Sequence, residues 1–170
     1  KSILHYRDYA STTTTGLLAI SGAKSYETLT CKILASSFVE NIGSGFLISP
    51  LPLTAQFAPV NGIATEDVNL DGYLDLILVG NHYDREVVMG RFDASIGTVL
   101  LNRGNNTFDV TPAEKNSMIV KGDAKAIARV ELSEGSVLLV SQNNDRVLSY
   151  SMKGYDGMQR LKLRPDEANG

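Results

Sequence analysis

The feature of this sequence that most narrows what it can fold into is a repeat of strand-sized segments. Ser37-Phe38-Val39-Glu40-Asn41-Ile42-Gly43-Ser44-Gly45-Phe46 matches Thr98-Val99-Leu100-Leu101-Asn102-Arg103-Gly104-Asn105-Asn106-Thr107-Phe108, with Asn41 to Asn102 and Gly43 to Gly104 each 61 positions apart. The stretch Val68 to Ile77 aligns in the same way with Glu131 to Val140, Gly72 preceding Gly135 by 63 positions. Short β-branched or apolar runs fill the repeat: Gly16 to Ile20, Ser37 to Glu40, Gly62 to Thr65, Leu74 to Val79, Thr98 to Leu101, Met118 to Val120, Ala126 to Glu131, Val137 to Ser141 and Arg146 to Tyr150. Turn-forming clusters such as Asn41-Ile42-Gly43-Ser44-Gly45, Leu70-Asp71-Gly72 and Ser133-Glu134-Gly135 separate them, which is the pattern of small hairpins. Glu27 to Ala35 and Thr111 to Met118 compete as short helices but lack a sufficient helical stripe, and read as extended or loop.

A recurring unit of about four strands in about 60 residues is the size of a propeller blade, a sheet that needs neighbours stacked on it. The expected fold is therefore all-β, a partial β-propeller of antiparallel four-stranded blades. Residues 1–35 read as leading strands or the remnant of a preceding blade, 36–97 as one blade with a long connecting loop, 98–153 as a second blade and 154–170 as a tail. Two blades do not close a ring, so remaining blades of the parent chain are expected partners.

One loop carries chemistry. Asp67-Val68-Asn69-Leu70-Asp71-Gly72-Tyr73-Leu74-Asp75 places oxygen-bearing side chains at positions one, three, five and nine and glycine at six, with the Tyr73 carbonyl available at seven. Calcium takes about six to eight oxygen ligands, and this spacing turns alternate side chains toward one point. Without a cation the carboxylates of Asp67, Asp71 and Asp75 would repel and raise one another's pKa, which argues against a bare Asp-Gly hairpin turn. An EF-hand needs a Glu at position twelve and flanking helices; here that position is Leu78 and the flanks read as strands. The corresponding turn of the second unit offers Val130, Leu132, Glu134 and Leu138, so it is expected to be a metal-free hairpin.

The stretch Val60-Asn61-Gly62-Ile63-Ala64-Thr65-Glu66-Asp67-Val68-Asn69-Leu70-Asp71-Gly72-Tyr73-Leu74-Asp75-Leu76 resembles the core of the FG-GAP or VCBS-like repeat of integrin α-chain propellers and many bacterial surface proteins. Residues 36 to about 150 are also similar to the terminal blades of long VCBS-repeat surface proteins of Bacteroidetes-type bacteria, through Ser37-Phe38-Val39-Glu40-Asn41, Leu51 to Val60, Gly80-Asn81, Gly90 to Gly97 and Gly122-Asp123-Ala124. The chain departs from the pattern at Leu70, where glycine is common, and in having no second copy of the loop. The resemblance implies an exported protein, extracellular or on the outer cell surface, with Ca2+ held by Asp67, Asn69, Asp71, Tyr73 and Asp75, and it implies no catalytic residue.

The remaining features point to binding rather than catalysis. The connection Gly80 to Gly97 is long for a hairpin protein, and its His82, Tyr83, Arg85 and Arg91 form a candidate surface for a glycan or a protein partner; an internal Arg91–Asp93 network is the alternative. His82 and His5 lack a neighbouring nucleophile or metal partner and read as surface residues. Ser11 to Thr15 reads as a strand edge or exposed loop, and Cys31, the only cysteine, as a buried small hydrophobe. The net charge of −3, from 16 basic and 19 acidic residues that are interspersed, gives no basic stripe for nucleic acid. No apolar run approaches the roughly 18 residues of a membrane span, and no signal peptide is visible at Lys1. The expected function is a non-catalytic, calcium-binding assembly or recognition module; a blade of an extracellular polysaccharide-active enzyme and a purely structural spacer are the alternatives.

Overall fold

A computed structural model describes residues 3, 5–84, 88, 90–133, 135–152 and 158–161. The chain divides into two compact units, residues 1–34 and 35–170.

The first unit is helical where strands are expected: α1 spans Tyr6–Ala10 and α2 Thr14–Ser21. The threonine run is β-prone residue by residue, but Thr13 acts as an N-cap, its hydroxyl accepting the Gly16 N–H at 3.2 Å, and Gly22 ends the helix in the left-handed conformation with φ 72°. Caps at both ends outweigh the propensity of individual threonines. Residues 23–35 carry no strand or helix, and Cys31 is exposed rather than buried; with no sheet partner along this stretch, its apolar neighbours do not enclose it.

The second unit is built from antiparallel sheets. Strands β1 (Ser37–Asn41) and β2 (Phe46–Pro50) form a hairpin, and a 3₁₀ turn at Leu53–Gln56 follows. The first four-stranded sheet runs in the order β3 (Val60–Glu66), β4 (Asp75–Gly80), β5 (Thr98–Asn102), β6 (Phe108–Val110). After a short helix α3 (Ala113–Asn116) comes a second four-stranded meander of β7 (Ala124–Leu132), β8 (Gly135–Gln142), β9 (Leu148–Met152) and β10 (Met158–Leu161). The sheets do not follow the partition expected at residues 97 and 98: the first begins at β3 and runs through β6, and the second begins at β7. A repeat length read from sequence sets the period and leaves the starting strand open; hydrogen bonding assigns β5 and β6 to the sheet of β3 and β4.

The two sheets begin alike. Each first strand carries a bulge, between Val60 and Gly62 and between Ala124 and Ala126. In each, the residue after the second strand donates back across the opening, Asn81 N–H to Pro59 O at 3.1 Å and Asn143 N–H to Asp123 O at 2.9 Å.

The core lies between these sheets. Ile77, Val79 and Val99 of the first pack with Leu138, Val140 and Tyr150 of the second, and Met118 and Val120 of the connection complete the cluster. The opposite face of the first sheet, with Leu78 and Leu100, is covered by Ala55 of the 3₁₀ turn and by Leu51, the residue after β2. Burial on both faces explains why Leu76-Ile77-Leu78-Val79 is continuously apolar instead of alternating. The innermost strands β3 and β7 approach closely because Gly62 has no side chain: a Cβ there would lie 2.9 Å from Ile127 N and 3.1 Å from the Ala126 carbonyl carbon. The Asn61 amide spans the same gap, donating to Asn81 O at 2.7 Å and Ala124 O at 2.8 Å, and at the far end of β3 the buried Glu66 pairs with Arg129 at 2.7 Å.

Gly62→Ala should therefore cost about 2 kcal/mol, the usual range for overpacking, because backbone rather than a movable side chain stands in the way. Urea denaturation monitored by circular dichroism checks this; a variant as stable as the parent would show that the sheets are not in van der Waals contact here.

Candidate functional site

The Asp67–Asp75 loop closes the end of the first sheet where β3 passes to β4. Its acidic side chains fold back onto the loop. Asp67 accepts the Asp71 N–H through Oδ1 at 3.0 Å and the Gly72 N–H through Oδ2 at 2.9 Å, and Asp71 Oδ1 accepts the Tyr73 N–H at 2.9 Å. Asn69 joins them, its Nδ2 donating to Asp71 Oδ2 at 2.8 Å and its Oδ1 accepting the Asp71 N–H at 3.2 Å. Two residues take left-handed backbone to make this curl, Leu70 at φ 59° and Gly72 at φ 88°. The Tyr73 ring lies against Gly104 of the β5–β6 turn, where a Cβ would come within 2.6 Å of it.

Asp75 is placed differently. It is fully buried at the neck of the loop, where Oδ2 accepts the Val68 N–H at 2.9 Å and Oδ1 the Asn102 N–H at 2.8 Å. One carboxylate thus ties the start of the loop, the start of β4 and the end of β5 together. Burial pushes its pKa above the ordinary carboxylate value, the two amide donors oppose this, and the charges of Asp71 and Asp67 add to the rise.

Among the described residues no three His, Cys, Asp or Glu side chains gather as a metal-binding group: the half-buried Asp67 and the exposed Asp71 form the tip and the buried Asp75 the neck. The donor set nevertheless has the chemistry of a hard-cation site, all oxygen and rich in carboxylate. Each carboxylate oxygen engaged by one amide keeps a second lone pair for a ligand.

The Gly80–Gly97 connection leaves the opposite end of the same sheet. His82 and Phe92 form an isolated antiparallel bridge, with N–H to O distances of 2.8 and 2.9 Å, and the Arg91 guanidinium stacks over the Tyr83 ring at 4.8 Å. His82, Tyr83 and Arg91 are thus brought to one place, with Arg91 on Tyr83; Arg85 lies outside the described residues. Beneath them sits a buried polar node that sequence reasoning passed over. Asn81, 1% exposed and at φ 90°, donates to Ser95 O and Gly122 O and accepts the Ser95 N–H. Beside it Asp123 pairs with Lys125 at 2.7 Å. Burial alone would raise the Asp123 pKa, but hydrogen bonds from Lys125 and Asn143, the Lys125 charge and the Tyr83 amide outweigh it and hold the carboxyl below the ordinary value. The signal that could have found this node is the polar residue directly after a fully apolar strand, Asn81 after Leu76 to Gly80.

No family model matches the chain, and no curated protein or solved structure is significantly similar to it.

Two predictions follow from the loop and its neck. Leucine in the left-handed region costs roughly 1–2 kcal/mol, and the Leu70 side chain is largely exposed, so Leu70→Asn should stabilise the fold by about 0.5–1 kcal/mol, read from denaturation midpoints; a loss would contradict the backbone assignment. The buried aspartates Asp75 and Asp123 have opposite pH signatures. The folded chain binds the Asp75 proton more tightly than the unfolded chain, so this group's contribution to stability falls as pH rises from near the ordinary value of about 3.9 through its higher folded value. The Asp123 contribution is present above about pH 3.9 and is lost as pH falls through its lower folded value. Carboxyl NMR titration in a calcium chelator should show Asp75 inflecting above, and Asp123 below, the ordinary aspartate value; the reverse order would contradict both environments.

Proposed function

We propose that the chain is a segment of a calcium-stabilised β-propeller of the FG-GAP/VCBS type, working outside the cell as a non-catalytic binding or assembly module. The observation that carries this reading is the loop itself, in which Asp67, Asn69 and Asp71 curl around one tip while a buried Asp75 fixes its neck to β5. Asp67, Asn69, Asp71, the Tyr73 carbonyl and Asp75 are the groups proposed to hold the ion, which supplies positive charge among mutually repelling carboxylates. The two stacked four-stranded meanders with matching bulges support the blade reading, since such sheets leave outward faces for further neighbours. The ion's role is structural: it locks the connection between β3 and β4, while the Tyr83–Arg91 stack at the opposite end of the sheet is the proposed partner surface, suited to a glycan or a protein loop.

A calorimetric calcium titration of chelator-treated protein tests this. Extracellular modules bind calcium with Kd of about 10⁻⁴–10⁻³ M, and a ligand at 100 times its Kd adds about 2.7 kcal/mol to folding stability. One binding site, a melting temperature that rises with calcium, and loss of both in Asp71→Ala are expected. A folded protein that takes up no calcium would overturn the reading.

A further inference from the structure

We propose that the open edge of β1 is a docking site for a β-hairpin of the β3–β4 kind, which adds antiparallel to β1 and completes a four-stranded sheet; this rests on the repeated-sheet reading above and not on the calcium site. The basis is a mismatch between two hairpins of one design. In β1–β2 the Gly43 N–H donates to Asn41 Oδ1 at 2.9 Å with Gly43 at φ 81°; in β5–β6 the Gly104 N–H donates to Asn102 Oδ1 at 3.0 Å with Gly104 at φ 80°. Ile42 N–H bonds to Gly45 O as Arg103 N–H bonds to Thr107 O. The registers also correspond, Val39 opposite Ile48 and Leu100 opposite Val110.

Their surroundings differ. Beyond β5 lies β4, with Leu76 opposite Leu100 and Ile77 opposite Val99, and Leu100 is 0% exposed. Beyond β1 there is no strand among the described residues. Val39, the counterpart of Leu100, is 54% exposed, and β2 is exposed along its whole length, with Phe46 at 69%.

The backbone of β1 is turned to receive a partner. Ser36 O accepts the Leu51 N–H and Ile42 N–H donates to Gly45 O, both on the β2 side. By the alternation of an antiparallel ladder, the groups of Ser37, Val39 and Asn41 then point to the open edge. In β5 the same parity faces β4: Val99 O bonds to Thr111 on the β6 side, and the Asn102 N–H goes to Asp75. The chain's own second hairpin thus says what covers such an edge: an apolar strand like Leu76-Ile77-Leu78-Val79, itself backed by another. A two-stranded sheet is marginal alone and an unpaired edge templates strand addition; main-chain bonds give the affinity and alternate side chains the selectivity.

The probe is a fluorophore-labelled synthetic peptide with the sequence of residues 60–80, titrated with the full chain and followed by anisotropy. Saturable 1:1 binding is expected, absent for a peptide of the same composition in scrambled order. It should weaken at least tenfold in Val39→Pro, which removes an outward N–H and leaves the β2 ladder in place, and in Val39→Lys, which carries the test if the proline variant melts early. Absence of saturable binding, or binding that Val39→Lys retains, overturns the proposal. So does a chain that dimerises through this edge and ignores the peptide, which would assign the edge to a second copy. If the peptide fails while calcium still raises the melting temperature, the docking site alone is lost; failure of both removes the propeller reading too.

Discussion

Asp75 holds a carboxylate at 0% exposure with its two oxygens on the amides of Val68 and Asn102. Burying such a charge costs free energy that hydrogen bonds only partly offset, and the neighbouring charges of Asp67 and Asp71 make ionisation harder still. The group is kept because of where it stands. It closes the nine-residue loop on itself and fastens it to β5, so that strands β3, β4 and β5 meet the loop at a fixed point. A divalent cation at the loop would relieve the repulsion that the carboxylates impose on one another, which gives the proposed calcium a direct mechanical effect on the end of the sheet.

That effect has somewhere to go because β3 and β7 are in intimate contact. Gly62 lets the two backbones approach, Asn61 hydrogen-bonds across the gap, and Glu66, the residue before the loop's first aspartate, pairs with Arg129 of β7. The strand that leads into the loop is therefore the strand that joins the sheets. At the opposite end Asn81 and Asp123 bind together the long connection, the 118–124 segment and the start of β7 by hydrogen bonds and one ion pair. The Tyr83–Arg91 pair rests on this base, its Tyr83 amide donating to Asp123. The proposed partner surface on this loop would have the rigid support that loop-borne binding residues need.

The strands of the second unit were legible because apolar runs and turn glycines alternate at strand length, and the likeness of two hairpin turns was legible because Asn41 and Asn102 each stand two residues before a glycine whose N–H they accept. The phase of the sheets was not, since periodicity carries no information on which hairpin hydrogen-bonds to which. The helix at Thr14–Ser21 escaped because threonine favours strands on average, while a single Thr13 cap and Gly22 decided the local outcome. In the loop, composition named the acidic residues but not their division of labour: Asp67 and Asp71 at the tip and Asp75 in the neck look alike in sequence, and only burial separates them. Leu70 takes left-handed backbone at φ 59°, a conformation its side chain does not favour and its sequence neighbours do not announce. Cys31 was misjudged because apolar sequence neighbours bury a side chain only where a sheet brings other strands over them.

The central claim, that a cation at the loop tip acts through the Asp75 neck on the end of the sheet, is tested most directly by residue-resolved amide hydrogen exchange with chelator and with saturating calcium. The account predicts slower exchange with calcium at Gly72 and Tyr73 in the loop and also at Val68 and Asn102, the two amides that Asp75 holds. Exchange at Val68 and Asn102 that calcium leaves unchanged, with the protein folded in both conditions, would contradict it.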